Sequence, residues 1–213
     1  MFKNIGVVLK KNLSADDLSV VRGLVEILAK NVSNIFSANK IDLKNVQVVD
    51  AQKFNQVVDL IIVFGGDGTL LGAARKFISN KTPILGINLG TVGFLTDVNI
   101  ENFGSVIKDV LNGDYVLEER SLVEASFLDQ EVFGLNEVLI HSGSYAQLMR
   151  YRLIIDGRTV YEQRSDGLIV ATPTGSTAYA LSAGGSIVHP ELNIWNIIPM
   201  MSQSLSSRPL IVS

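Results

Sequence analysis

The sequence predicts an α/β N-terminal domain with a mainly parallel sheet, followed by a β-rich, mainly antiparallel domain. Three observations lead to this. Up to Gly113, short apolar runs alternate with segments whose apolar residues recur at three and four positions, the pattern of strands and amphipathic helices joined by crossovers. After Asp114 the helical period gives way to short β-rich stretches, two of them joined by Asp156-Gly157, a pair suited to a primed hairpin turn. Between these patterns the boundary falls at residue 113, giving domains 1–113 and 114–213.

In chain order, Ile5 to Leu9 is a strand, and Ser14-Ala15-Asp16-Asp17 opens a helix with a hydroxyl cap and early acids. Leu18, Val21, Leu24, Val25 and Leu28 give that helix one apolar face as far as about Lys30. Ile35 to Ser37 and Val46 to Val49 are further strands. Leu60 to Phe64 is another, and it runs into Gly65-Gly66-Asp67-Gly68-Thr69 and a helix over Thr69 to Ser79, with Thr69 as its cap. Ile84 to Asn88 follows Pro83 as a strand, and a helix from Ile100 to Leu111 ends at Asn112-Gly113. In the second half Tyr115 to Leu128, Val132 to His141, Tyr151 to Ile155 and Thr159 to Glu162 read as strands. Asp166 to Tyr179 reads as a strand, a loop and the start of a short helix.

Composition excludes several classes of function. Hydrophobic residues make up 47% and charged ones 18% of 213 residues, enough to bury a core and unlike a disordered chain. The absence of cysteine excludes disulfides and thiolate metal sites, and points to a cytoplasmic protein. With 18 Lys and Arg against 21 Asp and Glu, nucleic acid is not expected as a partner. The apolar runs are too short to span a bilayer, so no membrane is expected either.

Two loops follow strands of the parallel sheet, where ligands of such sheets bind. In the first, Gly65, Gly66 and Gly68 let a ligand approach the main chain, and the helix after them aims free N–H groups and a positive dipole end at the same space. Asp67 there suits an acid that handles a hydroxyl proton or a phosphate-bound metal. The spacing is neither GxGxxG nor GxxxxGK, and a tight structural turn is the bland alternative. The second loop, Asn88 to Thr96, presents Phe94 either to a ligand ring or as a staple between loop and core. In the β-rich half, Asn136 beside Glu137 can read a base edge and a ribose diol, or simply face water at a strand end. Thr172-Pro173-Thr174-Gly175-Ser176-Thr177-Ala178-Tyr179 gathers hydroxyl donors into one loop, which suits a polar ligand and also any turn.

GGDGT, the Asn-Glu pair and DGLIVATPTGSTAY, in this order and on these elements, resemble the NAD kinase family; GGDGT alone is shared with diacylglycerol and sphingosine kinases. The resemblance covers the whole chain and implies phosphorylation of the 2′-hydroxyl of the adenosine ribose of NAD, with ATP as donor and Mg²⁺ or another divalent cation on its phosphates. It implies an α/β nucleotide-binding first domain, a dinucleotide-binding second domain and a homodimer or homotetramer. Asp67 matches the catalytic acid, and Gly65, Gly66, Gly68 and Thr69 match the phosphate loop. Asn136 matches the adenine amide and Glu137 the acid on the nicotinamide-side ribose. Asp166 and Ala178 match positions near the carboxamide, Thr174 and Thr177 adenine neighbours, and Tyr179 an aromatic at the dinucleotide. Arg75 and Arg164 match basic groups near phosphates. No side chain is assigned to the metal.

The chain departs from the family pattern twice. Ser202-Gln203 stands where relatives carry Pro-His, and the chain stops at Ser213 where they continue, so the second domain is expected to be incomplete at its C-terminus. An open sheet edge at Leu210 to Val212 predicts self-association, with Ile194 to Met201, including Trp195, at or near the contact. Two alternatives stand beside the kinase reading: a lipid kinase of the diacylglycerol or sphingosine type, and a non-catalytic dinucleotide-binding protein.

Overall fold

The computed structural model describes residues 2–77, 81–90, 93–96, 98–143, 147–204 and 206–213. The expected helix end at Ser79, and Thr91 and Val92 of the second loop, lie outside them. The chain divides into two units, Met1–Leu117 and Glu118–Ser213.

In the first unit, β1 (Asn4–Leu9), β2 (Asn34–Ser37), β3 (Gln47–Val48), β4 (Leu60–Phe64), β5 (Ile84–Asn88) and β6 (Val98–Asn99) form one sheet in the order β3-β2-β1-β4-β5-β6. Every pair in it is parallel. The order reverses between β1 and β4, which puts the loop after β4 at a topological switch point, the usual ligand crevice of such sheets. Ser14 caps α1 (Ala15–Ala29) through a complete capping box with Asp17. Val21, Leu24, Val25 and Leu28 of α1 and Phe103, Ile107, Val110 and Leu111 of α4 (Phe103–Asn112) close over Ile5, Val7, Ile62, Phe64 and Ile87. A turn of 3-10 helix at Ile100–Asn102 precedes α4, and Gly113 ends it in the left-handed conformation. α2 (Ala51–Val57) was not expected from the sequence; Asp50 caps it and Phe54 is its buried residue, stacked on Phe77 with ring centroids 4.6 Å apart. α3 (Asp67–Lys76) follows β4.

The second unit is antiparallel throughout its described pairs. β7 (Val123–Phe127) pairs with β8 (Gln130–Gly134), and β10 (Met149–Ile155) with β11 (Arg158–Ser165) across Asp156-Gly157, both at positive φ as a primed turn requires. β9 (Glu137–His141), β12 (Gly167–Ala171), β13 (Trp195–Met200) and β14 (Leu210–Val212) form a sheet in the order β14-β13-β12-β9. Ala180 of α5 (Tyr179–Ser182) and the neighbouring Ala183 pack on Ile169, Ala171 and Ile198.

Three expectations need correction. Residues 115–122 are not strand; Tyr115, Val116 and Leu117 are exposed, and β7 starts only at Val123, the first residue there with a buried side chain. The stretch from Val132 to His141 is two strands, broken at Leu135-Asn136 by contacts described below. The segment Ile194 to Met201 is largely internal: Asn196, Ile197, Ile198 and Pro199 of β13 are buried. Those four side chains therefore cannot form a subunit contact.

Candidate active site

Asp67 is the first residue of α3, with Gly66 as N-cap in extended backbone and no side-chain cap. Thr69, expected as the cap, lies inside the first turn, its N–H donating to the Gly66 carbonyl at 2.9 Å. The earlier start sets the carboxylate at the positive end of the helix, where a negative charge is stabilised.

That carboxylate is clamped by the second loop. Oδ1 accepts from the N–H of Leu95 at 3.1 Å, the N–H of Thr96 at 3.0 Å and the Thr96 hydroxyl at 2.9 Å. Oδ2 accepts from the Phe94 N–H at 2.9 Å. Thr96 is fully buried, and Asn88 Nδ2 donates at 3.2 Å to both its carbonyl and its hydroxyl oxygen. Asn88 Oδ1 in turn accepts from the Gly90 N–H at 2.7 Å. A Cβ on Gly93 would collide with the Asp67 carboxylate, so only glycine allows this approach. Burial opposes ionisation of Asp67, but the hydrogen bonds from Phe94, Leu95 and Thr96 outweigh it and hold the carboxyl below its usual 3.8. Phe94 itself is 79% exposed, which overturns the staple reading and leaves its ring open to solvent.

A pH-dependent result follows. Because the folded value of Asp67 is depressed, the stability it contributes is complete above about 3.8 and is lost as pH falls through the folded value. Thr96→Val deletes one donor, leaves its partners short, and is expected to cost on the order of 1 to 3 kcal/mol at pH 7. In thermal melts the gap from wild type should narrow below about pH 3.8; a gap that is unchanged down to pH 2 contradicts the clamp.

In the second unit the break between β8 and β9 places Asn136 and Glu137 at the head of β9. Glu137 pairs with Ala171 at the end of β12. Beyond that pair, the Thr172 N–H donates to the Asn136 carbonyl at 2.8 Å. Glu137 Oε2 is buried and has no hydrogen-bond partner among the described residues, and burial raises its carboxyl above the usual value. An acceptor withdrawn from water without a donor is a site that a ligand hydroxyl would satisfy. Thr174–Thr177 is a turn of 3-10 helix leading into α5; Thr174, Thr177 and Ala178 are half-buried and Tyr179 is exposed. Arg164 and Asp166 are exposed on either side of buried Ser165. Arg164 stands opposite Arg150 in the hairpin register, and Glu162 pairs with both Arg150 and Arg152, so this face keeps an excess of positive charge.

Each half of this geometry has relatives. Residues 5–115 match the ATP-NAD kinase N-terminal domain and residues 135–213 the ATP-NAD kinase C-terminal domain. The NAD kinase of Marinobacter nauticus is 42% identical over 99% of this chain, which spans 74% of that protein. The chain belongs to the NAD kinase family. The NAD kinase of Chromohalobacter salexigens is 49% identical over 75% of this chain and 56% of its own length. Among solved structures, yeast NADH kinase complexed with NADH superimposes with TM-score 0.86 at 28% identity, over 99% of this chain and 69% of its own. An NAD kinase from Archaeoglobus fulgidus in complex with ATP does so with TM-score 0.78 at 30% identity, over 99% and 77%. Neither the lipid-kinase nor the non-catalytic reading gains support from these relatives.

Within this NAD kinase chain, the structure joins Asp67 to the Phe94 loop, and Asn136 and Glu137 to the Thr174–Thr177 turn. Arg75 it keeps apart: in the last turn of α3, it is about 12 Å along the helix axis from Asp67 and favours the negative end of the dipole. A polar depression of about 450 Å³ lined by Gln52, Asn55, Gln56, Val58 and Thr82 lies before β4 and β5, at the end of the sheet away from the glycine loops. Sequence reasoning missed the parts played by Asn88, Thr96 and Thr172. A polar residue closing an apolar strand, as Asn88 does, or directly following one, as Thr172 does, was the available signal, because such a group must find a partner once buried.

Proposed function

We propose that this chain transfers the γ-phosphoryl group of ATP to the 2′-hydroxyl of the adenosine ribose of NAD, giving NADP and ADP. The clamped Asp67 carboxylate at the head of α3, in a chain of the NAD kinase family, is the observation that carries the reading. A carboxyl held below its usual range is a weak base, and a ribose hydroxyl is a far weaker acid, so prior deprotonation is not its task. Asp67 orients the hydroxyl. As the bond from the 2′-oxygen to phosphorus forms and the bond from phosphorus to the ADP oxygen breaks, the proton passes to Asp67 and then to water. The clamp fixes that carboxylate before substrate arrives, so positioning costs little at the moment of reaction.

Gly65, Gly66, Gly68 and Thr69 form the phosphate loop, and Asn136 and Glu137 take the adenine edge and the nicotinamide-side ribose diol. Thr174, Thr177, Ala178, Tyr179, Asp166 and Phe94 line the dinucleotide, and Arg164 lies near its phosphates. Arg75, about 12 Å along α3 from Asp67, is not given a part at the phosphate loop in this reading. Among the described residues no group of three or more His, Cys, Asp or Glu could hold a metal. A Mg²⁺ carried by the nucleotide's own phosphates and water would keep its octahedral preference without a protein cage. When bound, the ion neutralises charge on the transferred group. The protein acts in the cytoplasm as a homodimer or homotetramer, and the outer edge of β9, with Leu139 and Ile140 exposed, supports assembly.

Incubation with ATP, Mg²⁺ and either NAD or diacylglycerol tests the reading. NADP should form and phosphatidate should not; NAD binding without turnover under any phosphoryl donor would favour a non-catalytic protein. Light scattering should give a dimer or tetramer mass, and a monomer at micromolar concentration contradicts the assembly.

A further inference from the structure

We infer that Thr172 is a positioning residue for dinucleotide binding: its buried hydroxyl fixes the Asn136-Glu137 peptide against the Thr174–Thr177 turn. The inference rests on the proposed dinucleotide site. Thr172 is 1% exposed and follows the last residue of β12. Its Oγ1 lies 2.5 Å from the Leu135 carbonyl oxygen and 3.2 Å from that of Asn136, and it accepts from the Gly175 N–H at 3.1 Å. With one hydrogen to give, the hydroxyl donates chiefly to Leu135. A single oxygen thus ties together the bend before β9, the end of β12 and the 3-10 turn, segments up to 37 residues apart in sequence.

The same junction is closed by sterics. A Cβ on Gly175 would overlap the Asn136 carbonyl group, so the turn lies directly on the Asn136 backbone. Neither Asn136 nor Glu137 can therefore shift without moving the turn that carries Thr174 and Thr177. This matters most for Glu137, whose Oε2 is held out of water with no donor among the described residues and must meet its ligand at a fixed point. Thr172 does not itself touch the ligand in this reading; it acts through its neighbours. Valine in its place keeps the shape, loses the bond to Leu135 and strands the Gly175 N–H.

Steady-state kinetics and calorimetry with NAD test this on the full chain, with thermal melts to identify folded variants. Thr172→Val should raise KM and Kd for NAD at least about tenfold while kcat and KM for ATP stay within about twofold. Thr172→Ser, which keeps the hydroxyl, should restore NAD binding to within about twofold. Gly175→Ala attacks the junction without removing a polar group and should also raise KM for NAD, which keeps the inference testable if Thr172→Val does not fold. In an Asn136→Ala background the effect of Thr172→Val should shrink at least about threefold, since the two share one path. Full additivity, or loss of kcat alongside KM for both substrates, overturns the positioning role. Normal NAD affinity in Thr172→Val with Asn136→Ala impaired overturns it alone, whereas normal affinity in both Asn136→Ala and Glu137→Gln overturns the site reading beneath it.

Discussion

Asp67→Asn is expected to lower turnover by on the order of 10² to 10⁴ while NAD affinity stays within a few-fold. The amide keeps the shape of the carboxylate but cannot take a proton from the ribose hydroxyl. The clamp sharpens the expectation. Oδ1 faces three donors and Oδ2 one, so the amide will turn its oxygen to the Oδ1 side and set its NH₂ against the Phe94 N–H. Donor against donor loosens that end of the loop, and the melting temperature should fall with the rate. Thr96→Val separates the two effects: it loosens the same loop yet keeps the carboxylate, so its turnover should lie well above that of Asp67→Asn. Steady-state rates for both variants check this, and wild-type turnover in Asp67→Asn removes Asp67 from the mechanism.

Glu137→Gln is expected to bind NAD more weakly and to fold more stably. The weakening, roughly 1 to 3 kcal/mol, comes from replacing an acceptor for the ribose diol by a group that also donates. The gain has a different source. Burial raises the folded pKa of Glu137, so the charged form penalises the ligand-free protein above the unfolded value of about 4.5, fully once pH exceeds the folded value. Below about 4.5 both states are protonated and the penalty vanishes. Melts of Glu137→Gln should therefore lie above wild type at pH 7 and converge with it near pH 4. Calorimetry that finds NAD affinity unchanged in both Glu137→Gln and Asn136→Ala shows that these two residues do not form the site.

What was legible in the sequence was what local chemistry decides. The Ser14-Asp17 capping box, the Gly113 cap, the Asp156-Gly157 turn and the parallel order implied by alternating elements all appear in the structure. α2 escaped because seven residues with one buried side chain, Phe54, give too little periodicity to read. Tyr115 to Leu117 looked like a strand because its side chains favour one, yet no strand among the described residues pairs with it and it leads to the division between the units. The break at Leu135-Asn136 is set by Thr172 and Gly175, far along the chain, and no local preference could reveal it. The same holds for Asp67. Its residue type and glycine setting pointed to an acid for a hydroxyl proton or a phosphate-bound metal, but the donors that lower its pKa lie 27 to 29 residues away on another strand's loop.

The central claim is that this chain places a phosphoryl group on the 2′-oxygen of NAD. Phosphorus NMR of a mixture of the purified chain, NAD, ATP and Mg²⁺ tests it most directly, because a phosphomonoester on the ribose is resolved from the pyrophosphate and from ADP. The predicted result is a 2′-phosphomonoester signal growing in step with ADP, and absent over the same time with Asp67→Asn. ADP formed together with free inorganic phosphate and unchanged NAD, or a phosphomonoester formed equally fast by Asp67→Asn, would contradict the account.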